Sequence, residues 1–200
     1  MSIAKKMMTE SPLRIGFLTN EYPTQGFTGG IGSYVRQMAQ SFAALGHSPC
    51  VLLWVPSDGG LVWDGPVPIH RIVVAGLASQ LPWPVGKGAS LVFARNLGRL
   101  ADELNLDVLE APEWGGLTAF LSLVKPRKLR VVVRLHTCTA IIRQVNNWRP
   151  ESMRDRLNCY RNDIAEKRAI VTADKVTAVS KAIGEETRKA LHLSSGDFEV

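Results

Sequence analysis

Short apolar runs that alternate with helical repeats are the feature that most limits how this chain can fold. Because the apolar residues of each run are contiguous, we expect strands that are buried on both faces, as in a parallel sheet. The alternation predicts an α/β fold, a doubly wound, mostly parallel sheet flanked by helices and Rossmann-like in its connections. The predicted strands are residues 14–19, 49–55, 69–74, 107–111, 130–135 and 175–179, and the predicted helices are residues 31–45, 89–104, 117–124, 150–170 and 180–191.

Two segments rich in glycine, proline and tryptophan, residues 57–68 and 75–88, interrupt this alternation. We predict that both are surface loops, and that the second is either a plain connection or a loop that reaches over a binding cleft. We predict that residues 1–12 form a flexible N-terminal lead. We predict that residues 13–200 form a single domain, since a chain of 200 residues with 46% hydrophobic content is enough for one buried core.

Composition disfavours several classes of protein. No apolar run in the sequence approaches the roughly 18 residues of a membrane-spanning helix. Three widely spaced cysteines indicate reduced thiols in the cytoplasm, rather than a disulfide framework or a metal site. The net charge is +6, but the basic residues at 143–168 are interleaved with acidic ones, and no nucleic-acid-binding motif accompanies them. That pattern is typical of a solvated helix face, and it permits contact with a membrane surface.

A glycine-rich loop joins the first predicted strand to the first predicted helix. Gly29, Gly30 and Gly32 let the backbone approach a ligand closely. The helix start behind them offers unpaired N–H groups and about half a positive charge, which favours phosphate binding. The loop departs from the dinucleotide-binding fingerprint, because Val35 stands where the third glycine belongs, and no Gly-Lys-Ser/Thr follows as in a Walker loop. The alternative is that the glycines permit only a turn and close packing of helix on strand.

Polar residues also follow the later strands, at the sheet edge where folds of this kind bind ligands. His136 directly follows the fifth strand, and its ring can donate to a sugar hydroxyl or exchange a proton near neutral pH. Glu110 and Glu113 lie at the end of the fourth strand, where they either bind hydroxyls or cations or are simply solvated. Ser180 follows the sixth strand, and its hydroxyl is expected to cap the last helix.

Taken in order, these segments resemble the N-terminal domain of the retaining family-4 (group 1) glycosyltransferases, which have the GT-B fold. The resemblance rests on Glu21 after the first strand, the glycines at 29–32, the segment 45–47 before the second strand, the segment 107–114, the strand that ends before His136, and the segment 173–180. It covers most of the chain.

The resemblance implies transfer of a sugar from a nucleotide-sugar to an acceptor hydroxyl, with retention at the anomeric carbon and without a metal or other cofactor. It implies that His136 contacts the transferred sugar as the catalytic residue, and that the glycine loop lies near the donor diphosphate and the acceptor. The family's second domain, which carries most donor contacts, is not within these 200 residues, so we expect the chain alone to be inactive. The expected substrate-binding residues are Gly29, Gly30, Gly32, Glu113 and Ser180.

Two other functions stay open at this point. The first is a non-catalytic binding module of the same fold, which recognises an acceptor or pairs with a separate chain that carries the donor domain. The second is a nucleotide-dependent oxidoreductase, which the missing dinucleotide fingerprint disfavours.

Overall fold

The computed structural model describes residues 11–26, 29–73 and 91–194 of the chain. The strands are β1 (Arg14–Thr19), β2 (Ser48–Val55), β3 (Gly60–Asp64), β4 (Val67–Val73), β5 (Val108–Pro112), β6 (Arg130–Leu135) and β7 (Lys175–Ala178). The helices are α1 (Gly30–Ala44), α2 (Leu91–Glu103), α3 (Thr139–Val145), α4 (Met153–Val171) and α5 (Lys181–Ala190). None of the described helices combines the length and apolar character that crossing a membrane would require.

The seven strands form one sheet in the order β3-β4-β2-β1-β5-β6-β7, and every neighbouring pair is parallel except β3 with β4. This arrangement confirms the predicted doubly wound, mostly parallel sheet. From β1 the chain moves outward to β2 and β4, and it then returns to the other side of β1 through β5. The carboxyl ends of β1 and β5 therefore form the topological switch point, where folds of this class bind ligands.

Both faces of the sheet are buried, which explains why the strands are contiguous apolar runs. In β1, Leu18 packs on one face in a cluster with Leu97 of α2, whereas Phe17 packs on the other face in a cluster with Val35 of α1. Burying a side chain of this size contributes about 1.5–3 kcal/mol to folding. The core therefore consists of two layers that share the central strands.

The strand predictions agree with the structure except at one edge of the sheet. β1 and β6 have the predicted bounds, and the other predicted strands shift by no more than two residues. The surface loop predicted at residues 57–68 is wrong in part, because β3 lies within it and pairs with β4. This edge strand is held by backbone hydrogen bonds on one side and needs few apolar residues. Gly60 and Gly65, both at positive φ, mark its ends and had indicated a loop.

The helix predicted at residues 117–124 is wrong. These residues form turns with a single 3₁₀ turn at Leu121–Leu123. They follow Gly115 and Gly116, whose φ angles are 73° and 60°. A Cβ at Gly116 would lie 2.5 Å from the backbone of Ala165, so α4 packs directly on this turn. The unpredicted helix α3 has too few residues to show a helical repeat. Residues 1–10 and the segment 75–88 lie outside the described residues.

The last two helices begin at side-chain caps. At the start of α4, the Asp155 N–H donates to Ser152 Oγ and the Ser152 N–H donates to Asp155 Oδ2, each at 3.1 Å. Ser180 Oγ accepts the Ile183 N–H at 3.2 Å, which confirms the predicted cap of α5. Each cap stabilises its helix by about 1 kcal/mol.

Candidate functional site

Candidate side chains gather at the carboxyl edge of the sheet, around the switch point. Glu21 follows β1, Glu110 and Glu113 lie at the end of β5, His136 follows β6, and Ser180 follows β7. Because parallel strands end at one edge, residues that are far apart in the sequence come together there. The start of α1 lies at this edge as well, since α1 follows β1.

The start of α1 uses its glycines in two ways. A Cβ at Gly32 would lie 2.9 Å from the backbone of Glu21, and a Cβ at Gly29 would collide with the Glu21 carboxylate. Close packing on backbone therefore accounts for Gly32, whereas the atoms that a Cβ at Gly29 would meet belong to the end of the flexible Glu21 side chain. Among the described residues, a Cβ at Gly30 would meet nothing within 4 Å, so this side of the first turn of α1 is open in the part of the chain that the structure describes.

The helix start differs from the expectation in one respect. The sequence predicts unpaired N–H groups there, but the Gly32 N–H donates to a carboxylate oxygen of Glu21 at 3.3 Å. An internal carboxylate thus takes one of the donors that a phosphate could use.

His136 lies half-buried against Tyr34, with ring centroids 5.3 Å apart and ring planes at 68°. The Arg134 guanidinium lies over the same Tyr34 ring, 4.7 Å from its centroid. The Tyr34 hydroxyl donates to Glu110 at 2.8 Å. Because Glu110 lies on β5 and Arg134 on β6, these two contacts fix the Tyr34 ring beside both strands. Burial, aided by the charge of Arg134, lowers the pKa of His136 to about 4. The imidazole is therefore neutral near pH 7, with one nitrogen as a donor and the other as an acceptor.

Glu113 supports the backbone of His136 from inside the domain. Its side chain is fully buried, and its two carboxylate oxygens accept the His136 N–H at 3.0 and 2.9 Å. Burial raises the pKa of Glu113 to about 7. In this geometry the carboxyl group fixes the turn after β6 from inside the domain, and its predicted contact with substrate stays a prediction.

A second buried carboxylate, Glu166 of α4, joins three segments of this edge. It accepts the Gly115 N–H at 3.0 Å, the Thr139 N–H at 2.9 Å, and the Thr139 hydroxyl. Gly115 belongs to the turn after β5, and Thr139 begins α3 three residues after His136. Glu166 therefore ties α4 to both turns that border the candidate site.

Ser180 lies at the same edge, one strand beyond His136. Its hydroxyl oxygen accepts the Ile183 N–H in the cap of α5, which leaves its own O–H available as a donor. Its contact with substrate stays a prediction. Among the described residues, no three His, Cys, Asp or Glu side chains are grouped so that they could hold a metal ion.

A family model for Glycosyltransferase Family 4 matches residues 28–200, which is most of the chain and includes His136, Glu113, Ser180 and the three loop glycines. The chain belongs to Glycosyltransferase Family 4. No curated protein matches the sequence.

Solved structures agree with this Family 4 domain at the level of the fold. A structure of sucrose-phosphate synthase from Thermosynechococcus elongatus superposes with a TM-score of 0.64 at 15% identity, over 94% of this chain and 47% of that one. A second structure of that enzyme gives a TM-score of 0.54 at 14% identity, over 94% of this chain and 86% of that one. The chain thus spans about half the length of the first enzyme structure.

The sequence analysis did not identify Tyr34 and Arg134, which lie beside His136 in the candidate site. Tyr34 falls on the apolar repeat of α1, so the pattern does not distinguish it from a core residue. Arg134 carried a usable signal, since it is a charged residue inside an otherwise apolar strand next to His136. The contact between Arg134 and Tyr34 depends on how α1 packs beside β6, which neither segment shows by itself.

Glu113→Gln should change how the stability of the domain depends on pH. Folding raises the pKa of Glu113 from 4.5 to about 7, so its contribution is fully present below about pH 4.5 and is lost as the pH rises through about 7. The glutamine has no proton to lose. We therefore compare the difference in melting temperature, wild type minus Glu113→Gln, at each pH. We expect this difference to decrease as the pH is raised from about 4 to about 8.

Thermal unfolding of both proteins across this pH range measures that difference. His136 titrates in both proteins, so its effect cancels in the comparison. Melting curves that shift in parallel at every pH would contradict a proton held by buried Glu113.

Proposed function

We propose that this Family 4 domain is the acceptor-side half of a retaining glycosyltransferase, which moves a sugar from a nucleotide-sugar to an acceptor hydroxyl. The observation that carries the proposal is the neutral His136 at the switch-point edge, with its backbone held by Glu113 and its ring against Tyr34. Family membership supports glycosyl transfer as the reaction class.

In this proposal His136 donates a hydrogen bond to a hydroxyl of the transferred sugar. Positive charge develops on the sugar ring as the glycosidic bond breaks. A neutral imidazole can orient the sugar without adding a second positive charge beside that ring. Its fixed position favours catalysis, because a preorganised donor needs little rearrangement during the reaction.

The donor diphosphate lies beside Gly30 at the start of α1. As the leaving group gains negative charge, the partial positive charge of the helix start stabilises it. The Ser180 hydroxyl donates to an oxygen of donor or acceptor from the same edge. We propose that this chemistry uses no metal or other cofactor.

A second domain completes the cleft and supplies most of the contacts with the donor. Transfer needs the reacting groups held in place and water kept out, and one open wall provides neither. The share of the sucrose-phosphate synthase chain that this domain covers, 47%, supports a two-domain enzyme. We therefore expect that the chain alone does not turn over.

Transfer of radiolabelled sugar by the whole protein tests the proposed function. The protein is offered a panel of nucleotide-sugars and hydroxyl acceptors, with the 200-residue chain as the inactive control. NMR of the product should show the anomeric configuration of the donor. Acceptor binding without transfer from any donor would instead favour a non-catalytic binding module, and inverted product would exclude retention.

Gly30→Val should weaken use of the donor and leave the fold intact. The Cβ of the new side chain meets no atom of the described residues within 4 Å, and the side chain stands where it would obstruct a phosphate. We expect the donor KM to rise on the order of tenfold or more. Steady-state kinetics of the whole enzyme measure this effect.

Gly32→Val is the matched control for that variant. Its side chain meets the backbone of Glu21, so we expect a lower melting temperature as its main effect. A stably folded Gly30→Val enzyme with a normal donor KM would contradict a diphosphate at this loop.

A further inference from the structure

Helix α4 carries an apolar stripe on its outer face. The stripe consists of Met153, Leu157, Tyr160 and Ile164, which follow one another at spacings of four, three and four residues and so share one side of the helix. All four are exposed, Met153 at 78% and Tyr160 at 59%. We call these four residues the α4 stripe.

The buried residues of α4 lie on the opposite side of the helix and only in its second half. They are Ala165, Glu166, Ala169 and Ile170. None of the first twelve residues of α4, all within the described part of the chain, is buried. A helix of that length is marginal in water without packing. In the described structure this half is held by its capping box and by the pair between Arg143 and Asp163.

Exposed arginines flank the α4 stripe. Arg154 and Arg156 lie on its two sides near the start of the helix, and Arg149 precedes the helix. Glu151 is the exposed carboxylate nearby, whereas Asp155 is engaged by Ser152. The surface around the stripe therefore has an excess of positive charge.

The combination of an apolar line, basic flanks and aromatic residues matches a helix that lies at a membrane surface. Such helices place their apolar face among the lipid chains and their arginines among anionic headgroups. Tyr160 and the half-exposed Trp148 have rings that suit the boundary between headgroups and chains. We propose that the α4 stripe docks this domain onto an anionic membrane surface.

A second copy of the chain fits this surface less well. If two stripes packed face to face, two surfaces with an excess of positive charge would be brought together, and like charges across an interface repel. An anionic lipid surface neutralises the arginines that flank the stripe. The charge therefore favours the membrane over self-association.

Flotation of the purified 200-residue chain with lipid vesicles tests the proposal. The vesicles contain equal parts phosphatidylcholine and phosphatidylglycerol, and vesicles of phosphatidylcholine alone serve as the uncharged comparison. We expect binding to the anionic vesicles that weakens as salt is added. The double variant Met153→Ser/Tyr160→Ser should lower the partition coefficient at least about tenfold.

Two matched controls show whether the effect belongs to the α4 stripe. Leu61→Ser/Trp63→Ser removes equally exposed apolar residues from β3, at the opposite edge of the sheet, and should bind as the wild type does. Arg154→Gln/Arg156→Gln should weaken binding to anionic vesicles, whereas Arg95→Gln/Arg99→Gln on α2 should change it little. Thermal melting confirms that each variant is folded.

Three outcomes would overturn the proposal. The first is that the wild type does not float with anionic vesicles. The second is that the α4 stripe variant binds as well as the β3 control. The third is that sedimentation shows a dimer for the wild type and a monomer for Met153→Ser/Tyr160→Ser, which would assign the stripe to a second copy of the chain.

Discussion

His136→Ala should lower kcat/KM of the whole enzyme on the order of 10²-fold or more, because it removes a positioned hydrogen-bond donor at the reacting sugar. Folding should change little. Glu113 accepts the backbone N–H of residue 136, not its ring, so alanine retains that contact. Steady-state kinetics, together with the melting temperature of the variant, measure the two effects separately.

His47→Ala is the matched control for loss of an imidazole. His47 directly precedes β2, on the side of the sheet where the strands begin and away from their carboxyl ends. There its Nδ1 accepts the Leu13 N–H. We expect normal kcat/KM for this variant. His136→Asn keeps a side-chain N–H donor and should recover part of the activity. Near-normal kinetics of His136→Ala would show that His136 is a structural residue.

Glu166→Ala should destabilise the domain more than any other single change proposed at this edge. It leaves the Gly115 N–H, the Thr139 N–H and the Thr139 hydroxyl without their acceptor. A buried donor that loses its partner costs about 1–3 kcal/mol, and these three donors are part-buried. We expect a loss of about 3–5 kcal/mol, which lowers the melting temperature of a domain this size by about 10 °C.

Thermal or urea unfolding of the 200-residue chain measures this loss. Glu186→Ala is the control. Glu186 is exposed on α5, and its carboxylate accepts a hydrogen bond from Lys189, one helical turn away. That variant should melt within about 1 °C of the wild type. Equal melting temperatures for both variants would mean that the Glu166 contacts contribute nothing to stability.

The sheet could be predicted from the sequence because burial on both faces leaves a simple pattern. Residues 14–19 and 130–135 are mostly apolar, and their strands have the predicted bounds. β3 leaves no such pattern, since an edge strand is held by backbone hydrogen bonds to one neighbour. The turns after Gly116 contain enough apolar residues to resemble a helix, but Phe120 and Val124 have non-helical backbone angles that the sequence does not show.

The candidate site could be located from the sequence but not assembled from it. His136 and Ser180 follow strands, so the sheet alone brings them to one edge. The network that holds His136 joins segments far apart in the chain, for example Tyr34 to Glu110 and Glu113 to His136. Such contacts depend on how the helices pack on the sheet. The packing of Gly29 and Gly32 on Glu21 is likewise invisible in the glycine spacing.

A crystal structure of the whole protein with an inert nucleotide-sugar analogue, such as one with fluorine at C2 of the sugar, tests the central claim most directly. We expect the transferred sugar within hydrogen-bond distance of the His136 ring, about 3 Å, and the diphosphate beside Gly30 at the start of α1. A donor bound away from the carboxyl ends of β1, β5 and β6, with no contact to His136 or Gly30, would contradict it.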